Sequence, residues 1–167
     1  MRTLLLLRHA KSSWKDPALE DHDRPLNKRG RRDAPRMGEL MAEKKLTVDL
    51  ALCSSARRAR DTAFTVLHEA GYEGETRILR SLYMADPEGC AETLRRLEGE
   101  PQRVLVIGHN PGLEDLVQAL TGETEELPTG GLAVIELSID TWADVALGKA
   151  QGKLLGLWKP KQLSVDS

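Results

Sequence analysis

Residues 1–11 read MRTLLLLRHAK, a short apolar run that leads directly into an Arg-His pair. A continuous apolar run of this length, here Thr3–Leu7, is typical of a strand that is buried on both faces of a sheet. Three more runs have the same character, and they are Val48–Leu52, Val104–Ile107 and Leu132–Leu137. Weaker strands are predicted at Glu75–Leu79 and Lys153–Trp158. The chain is therefore predicted to form a sheet of mainly buried strands.

Helices are predicted between these strands, and most of them begin or end at a recognisable signal. The predicted helices run from about Lys28 toward Lys44, over Arg57–Ala70, from Pro87 to about Leu97, and onward from Pro111. Asn27 and Asp86 are suitable N-caps, and Gly71 is a suitable stop signal. Pro35 is expected to kink the first helix or to delay its start.

The apolar positions of these helices predict which faces are buried. Phe64 and Leu67 are assigned to the apolar stripe of the second helix. The fourth helix has four apolar residues spaced for one face, namely Leu113, Leu116, Val117 and Leu120. The segment Asp140–Gly152 is predicted as either a short helix or a hairpin. Strands that alternate with helices of these lengths predict an α/β fold with a mainly parallel central sheet and helices on both faces.

Composition limits the classes of protein that this chain can represent. A length of 167 residues predicts a single domain over residues 1–167. The net charge of −2, with one Phe and two Tyr, argues against a nucleic-acid partner. No apolar run approaches the roughly 18 residues of a membrane span, and Arg8 interrupts the N-terminal run too early for a signal peptide. We therefore expect a cytoplasmic protein without a membrane partner, and Cys53 and Cys90 are expected to be reduced.

Polar residues of complementary types follow three of the predicted strands. Arg8-His9 follows the first, Ser54-Ser55 with Arg57-Arg58 follows the second, and Gly108-His109 follows the strand at 104–107. Ligands of parallel α/β sheets bind beyond the carboxyl ends of the strands, so these residues are expected to meet. Guanidinium groups suit phosphoryl oxygens, and a neutral imidazole can attack phosphorus. The pattern predicts a phosphoryl-transfer site.

Each of these residues also has a simpler explanation when it is taken alone. Arg57 and Arg58 could be solvated residues on a helix face, and His109 could be a turn residue. The combination of three strand ends is what favours a phosphate site. His22 lies in a charged loop and His68 near a helix end, so neither is assigned a role.

Four stretches of the chain resemble the motifs of the histidine phosphatase superfamily, and more specifically those of the small SixA-type phosphohistidine phosphatases. The matching stretches are Leu4–Trp14 (LLLLRHAKSSW), Asp23–Gly30 (DRPLNKRG), Ser54–Thr62 (SSARRARDT) and Val104–Gly112 (VLVIGHNPG). The resemblance covers nearly the whole chain and implies a phosphoglycerate-mutase-like fold. It also implies that His9 is the nucleophile and that Arg8, Arg58 and His109 complete the catalytic, phosphate-binding set.

The resemblance further assigns Arg24 to the rim of the phosphate pocket. The alternative is that Arg24 is a loop residue paired with Asp21 or Asp23. The family pattern is usually Arg-His-Gly, whereas Ala10 follows His9 in this chain. We expect the turn to tolerate Ala10, because only a positive φ would strain it.

Larger members of the superfamily carry an acidic proton donor, which has no obvious counterpart here. Asp86 and Glu88 are the candidates, although Asp86 is equally well explained as a helix cap. Cleavage of an alkoxide ester needs a general acid, whereas the imidazole released from phosphohistidine is a weaker base and needs less help. The shortage of an acid therefore favours phosphohistidine as the substrate.

The sequence thus predicts a metal-independent phosphatase without a cofactor that acts through a phosphohistidine intermediate. Its predicted partner is a phosphorylated protein carrying phosphohistidine, or else a small phosphorylated substrate. The alternatives are a small-molecule phosphomonoesterase of the same superfamily and a non-catalytic phosphate- or phosphoprotein-binding module. A metal enzyme is a weaker alternative, because arginines beside the histidines disfavour a cation.

Overall fold

The computed structural model describes residues 1–163, and a sheet of six strands forms its centre. The strands are β1 (Arg2–Arg8), β2 (Leu50–Ser54), β3 (Thr76–Leu79), β4 (Arg103–Gly108), β5 (Leu132–Leu137) and β6 (Gly152–Trp158). The helices are α1 (Lys28–Glu43), α2 (Arg57–Glu69), α3 (Pro87–Arg95) and α4 (Gly112–Thr121). The strand order is β3-β2-β4-β1-β5-β6. The first four strands pair in parallel, and β5 pairs antiparallel with both β1 and β6.

The leucines of β1 fill the core on both faces of this sheet. All four side chains from Leu4 to Leu7 are fully buried. Leu4 and Leu6 pack into one core layer with residues of α3 and α4. Leu5 and Leu7 pack into the other layer with residues of α1 and α2. The α/β fold with helices on both faces of a mainly parallel sheet is therefore confirmed.

The residues predicted to begin and end helices occupy those positions in the structure. The side chain of Asn27 accepts a hydrogen bond from the N–H of Gly30 at 2.9 Å and caps α1. Gly71 follows α2 with φ of +76°, a conformation that glycine adopts at no steric cost. The helix α1 continues through Pro35 from Lys28 to Glu43, so the predicted delay of its start is wrong.

Two sequence predictions need correction. The strand β2 begins at Leu50 and not at Val48, because the Asp49 carboxylate binds the N–H of Arg103 and pairing with β4 starts after it. Phe64 is 80% exposed and lies outside the buried stripe of α2. That stripe consists of small and branched residues, namely Ala59, Thr62, Ala63, Val66 and Leu67.

The structure also shows the conformation of the segment 140–152 and the state of the two cysteines. Within the segment 140–152, a short 3-10 helix covers Trp142–Asp144, and Trp142 is fully buried. Cys53 and Cys90 are free thiols buried in opposite core layers, as expected for reduced cysteines. No helix within residues 1–163 is long and apolar enough to span a bilayer.

The close contact between α1 and the segment after β1 predicts how a substitution at Gly30 changes the free energy of unfolding. A methyl group at Gly30 would overlap the backbone of Lys11, which cannot move without shifting the loop that follows His9. We expect Gly30→Ala to lower the free energy of unfolding by about 1–3 kcal/mol in urea titrations, despite the better helix propensity of alanine.

Gly108→Ala is the matched control for this substitution. A methyl group at Gly108 would meet the side chain of Leu113 at 3.5 Å, which is an ordinary contact. Its unfolding free energy should stay within about 1 kcal/mol of the unsubstituted chain. Equal losses in the two variants would contradict the packing explanation.

Candidate active site

The carboxyl ends of β1 and β4 lie side by side, because these strands pair in parallel with Arg8 opposite Gly108. The backbone N–H of His9 continues the pairing and donates to the carbonyl of Gly108 at 3.1 Å. The rings of His9 and His109 therefore lie next to each other, with centroids 5.1 Å apart. On the other side of β4, β2 ends at Ser54.

Two arginines reach this place from different elements. Arg58 is the second residue of α2, it is buried, and its Nη2 lies 3.5 Å from Nδ1 of His109. Arg8 is the last residue of β1 and is half-buried. Arg57, by contrast, is exposed on α2. The structure therefore brings together Arg8, His9, Arg58 and His109, the four residues assigned from the sequence.

The backbone around Ala10 orients the ring of His9. Nδ1 of His9 lies 2.7 Å from the carbonyl oxygen of Ala10. Because a carbonyl only accepts, Nδ1 must carry the proton and Nε2 the lone pair. The N–H of Ala10 donates to the hydroxyl of Thr62, which donates in turn to the carbonyl of Arg58. Ala10 has a negative φ, so the turn tolerates alanine as expected.

Both imidazoles are neutral at neutral pH. Burial, together with the charges of nearby arginines, lowers the pKa of His9 to about 4. Burial and the neighbouring His9 and Arg58 lower the pKa of His109 to about 3. The free Nε2 of His9 is therefore in the protonation state that a nucleophile needs.

A serine hydroxyl positions the second histidine. Nε2 of His109 lies 2.7 Å from Oγ of Ser54, which is fully buried at the end of β2. The same Oγ accepts a hydrogen bond from the N–H of Ala56 at 3.2 Å. These contacts hold the ring so that Nδ1 of His109 faces Arg58.

Two arginine donors in this cluster have no partner among the residues that the structure describes. Nε of Arg8 and Nε of Arg58 are buried, and neither forms a hydrogen bond within residues 1–163. A buried donor without a partner costs roughly 1–3 kcal/mol. An oxyanion would accept hydrogen bonds from donors of this kind, since guanidinium groups bind such oxygens strongly.

Asp21 holds Arg24 and Arg58 in place, although the sequence indicated it only as a possible partner of Arg24. Its carboxylate accepts from Nη2 of Arg58 at 2.9 Å and from Nη2 of Arg24 at 3.1 Å. Tyr83 also donates its hydroxyl to this carboxylate. Although burial alone would raise it, the hydrogen bonds from Tyr83 and the arginines hold the pKa of Asp21 well below its usual range. Asp21 is therefore a fixed anion beside the site.

Arg24 has the partner that the simpler explanation required. It forms an ion pair with Asp21, donates to Oγ of Ser12 at 2.8 Å, and stacks 3.5 Å over the exposed ring of Trp14. Its charge also contributes to the lowered pKa of His9, so it lies near the site. Its role as a phosphate ligand stays a prediction.

The two candidate proton donors have other partners. The carboxylate of Asp86 caps α3 by accepting from the N–H of Gly89 at 2.7 Å. Glu88 pairs with Arg95 at 2.6 Å. Within the described part of the chain, no hydrogen bond joins either carboxylate to His9. The helix-cap interpretation of Asp86 is confirmed, and a proton-donor role for either residue remains untested.

Two further residues at the rim escaped the sequence analysis. His22, which was assigned no role, lies with Nε2 at 2.8 Å from Oγ of Ser55 and edge-on to the ring of Tyr83. Tyr83 also packs against His109, with centroids 5.6 Å apart. Among residues 1–163, no cluster of three or more His, Cys, Asp or Glu is arranged to hold a metal ion.

Comparison with known proteins identifies the class to which this fold and site belong. The family model of the histidine phosphatase superfamily (branch 1) matches residues 4–96. An uncharacterized protein of Mycobacterium tuberculosis is 35% identical over 93% of this chain and 100% of its own length. The chain belongs to the histidine phosphatase superfamily.

Solved structures narrow this assignment. The putative phosphohistidine phosphatase SixA from Agrobacterium tumefaciens is 28% identical, with a TM-score of 0.81 over 95% of this chain and 98% of that chain. A structure of the protein histidine phosphatase SixA complexed with tungstate shares the fold at 23% identity, with a TM-score of 0.81 over 97% and 99% of the two chains. The protein is a phosphatase of the SixA type.

The hydrogen bond to Ala10 and the lowered pKa values can be measured by NMR. Long-range ¹H–¹⁵N spectra at pH 7 should show His9 with its proton on Nδ1. Because the pKa of His9 is about 4 and that of His109 about 3, both rings should stay neutral as the pH falls to roughly 5 and take up protons only below that value.

The same protein in denaturing urea is the reference for this measurement. There, both imidazoles should titrate near the ordinary value of about 6.5, because burial and the neighbouring charges are gone. If His9 titrated near that value in the folded protein, it would be protonated in mildly acidic solution and the electrostatic description of the site would be wrong.

Proposed function

We propose that the protein is a metal-independent phosphatase that removes the phosphoryl group from phosphohistidine on another protein, through a phosphohistidine intermediate on His9. The observation that carries the proposal is the orientation of His9, whose Nδ1 is bound to the Ala10 carbonyl and whose Nε2 is left with its lone pair. A protein that only bound phosphate would have no need of this orientation. The proposal assigns the enzyme to the cytoplasm, in agreement with the sequence analysis.

In the first step, Nε2 of His9 attacks the phosphorus of the substrate. A bond between Nε2 and phosphorus forms as the bond to the leaving imidazole breaks, and that imidazole takes its electron pair and then a proton from solvent. Arg8 and Arg58 bind the phosphoryl oxygens and oppose the charge that builds on them. His109 lies beside His9. When the hydroxyl of Ser54 donates to Nε2 of His109, the one ring proton of the neutral imidazole is on Nδ1, from which it donates to these oxygens.

In the second step, water attacks the phosphorus of the intermediate. The bond between phosphorus and Nε2 breaks, inorganic phosphate leaves, and His9 regains its lone pair. The proton that water loses goes to solvent or to a phosphate oxygen, so the step needs no cofactor. The same arginines bind the transferring oxygens in both steps, which is why we assign no metal to the reaction.

The carboxylates near the site support phosphohistidine over a phosphate ester. Asp86 is occupied as a helix cap, and Glu88 is paired with Arg95. Asp21 is bound to Arg58, and Glu114, whose charge acts on Arg8, accepts a hydrogen bond from the N–H of Leu127. The low pKa of Asp21 keeps it deprotonated, so it has no proton to donate. Without a general acid, the site would expel an alkoxide slowly. Expulsion of an imidazole depends much less on a general acid.

A comparison of substrates tests this assignment. The specificity constant for a phosphohistidine peptide should exceed that for a phosphoserine peptide by at least about 10²-fold, the low end of what a general acid contributes. p-Nitrophenyl phosphate, whose leaving group is also a weak base, should be cleaved as well. All rates should be the same in the presence of EDTA. Equal rates on the two peptides would favour the phosphomonoesterase alternative, and metal-restored activity would overturn the metal-independent mechanism.

Replacement of the nucleophile tests the covalent step. His9→Ala should lower turnover by at least about 10³-fold, while vanadate still binds because the arginines remain. Rapid acid-free quenching of the unsubstituted enzyme should trap a phosphoenzyme that is stable to alkali and labile to acid, as a phosphoramidate is. His68→Ala, at an exposed position of α2, is the control and should keep full activity. A trapped phosphoryl group on Ser54 or Ser55 would disprove the assignment of His9 as the nucleophile.

A further inference from the structure

The first half of α1 carries a concentration of positive charge. Residues 28–36 read KRGRRDAPR, in which five residues are Lys or Arg and one is Asp, although the whole chain has a net charge of −2. The N-terminal end of a helix bears the positive end of its dipole, so cations there reduce helix stability. Helix formation therefore does not explain the charge in the first turn, which suits a binding role instead.

Arg31 donates to the carbonyl of Leu26, but the other three arginines of this segment keep their hydrogen-bonding capacity. The buried carboxylate of Asp33 lies at 3.6 Å from Arg29, 3.8 Å from Arg32 and 3.9 Å from Arg36. These distances are too long for hydrogen bonds. Within residues 1–163, none of the three guanidinium groups donates a hydrogen bond to the protein, and the side chains of Arg29 and Arg32 are more than half exposed.

The three arginines line a cleft on the surface. The cleft has a volume of about 470 Å³, and its other walls include Pro160, Lys161 and Leu163. We refer to Arg29, Arg32, Arg36 and Lys161 as the basic surface. A cleft of this kind offers several separate donors to acidic side chains.

The basic surface is one packing layer from the nucleophile. The N–H of Gly130 donates to the carbonyls of both Arg8 and His9, at 3.0 Å each. A methyl group at Gly130 would lie 2.8 Å from the ring of Pro160 and 4.0 Å from Cβ of Asp33. Pro160 and Asp33, which both line the cleft, therefore pack on Gly130, and Gly130 binds the backbone that carries His9.

We propose that the basic surface binds acidic side chains that flank the phosphohistidine of a protein substrate. This inference rests on the proposed function, because it assigns the partner of the same site. The partner is a protein with a local cluster of Asp or Glu, which contacts this surface alone. A nucleic acid carries charge along its whole length and would meet the net negative charge of the rest of the protein.

Two phosphohistidine peptides test the inference, one flanked by Glu residues and the other by Gln residues. The acidic peptide should have about a tenfold higher kcat/KM at low ionic strength, and added salt should remove the difference. Arg29→Glu/Arg32→Glu should abolish the preference while leaving the Gln peptide and p-nitrophenyl phosphate unchanged. Arg77→Glu/Arg96→Glu, which reverses two exposed charges elsewhere, should keep it.

A binding measurement separates this inference from the proposed function. Fluorescence anisotropy measures how tightly an unphosphorylated Glu-rich peptide binds. The Kd of this peptide should be about tenfold higher for Arg29→Glu/Arg32→Glu than for the unsubstituted protein. If neither phosphohistidine peptide is cleaved but p-nitrophenyl phosphate is, the proposed substrate is wrong, and the anisotropy still decides whether the surface binds acidic chains. Equal binding by both double variants, or tighter binding of duplex DNA at this surface, would overturn the inference.

Discussion

The parallel pairing of β1 with β4 is the interaction on which the site depends. Its register sets Arg8 opposite Gly108, and the next residue of each strand is a histidine. A slip of two residues, which would keep the same faces buried, would move one imidazole by nearly 7 Å relative to the other. The leucine run of β1 is flanked by Arg2-Thr3 and by Arg8, so a slip along β4 in either direction would draw a polar or charged side chain toward the core layers. The hydrophobic core thus sets the distance between two polar groups.

Burial also lowers the pKa of both histidines. A protonated imidazole beside the guanidinium groups would be repelled by them. The low pKa values of His9 and His109 follow from burial and from these neighbouring cations. Positive charge in the pocket is then supplied by the arginines alone, in a form that pH does not remove. Asp21 holds the arginines without neutralising both, since a single carboxylate is shared between Arg58 and Arg24.

The sequence predicted those parts of the site that lie at strand ends, because a buried strand is recognisable by its apolar run and the next residue is then known to be at the sheet edge. The contact of Asp21 with Arg58 and the positions of His22 and Tyr83 beside the site were missed for a physical reason. Asp21, His22 and Tyr83 lie in irregular segments whose course depends on tertiary contacts, and no local pattern shows that Tyr83 reaches a carboxylate 62 residues earlier. The exposure of Phe64 was missed similarly, since small residues filled the tight space between α2 and the sheet.

The hydroxyl of Thr62 joins two otherwise separate parts of the site. It accepts from the N–H of Ala10 and donates to the carbonyl of Arg58, while the carbonyl of Ala10 orients His9. His9 and Arg58 are consequently linked by one chain of hydrogen bonds that runs through the backbone of Ala10 and the hydroxyl of Thr62. The loss of conformational entropy needed to align them occurs when the chain folds, so that little of it remains to oppose the approach of a substrate.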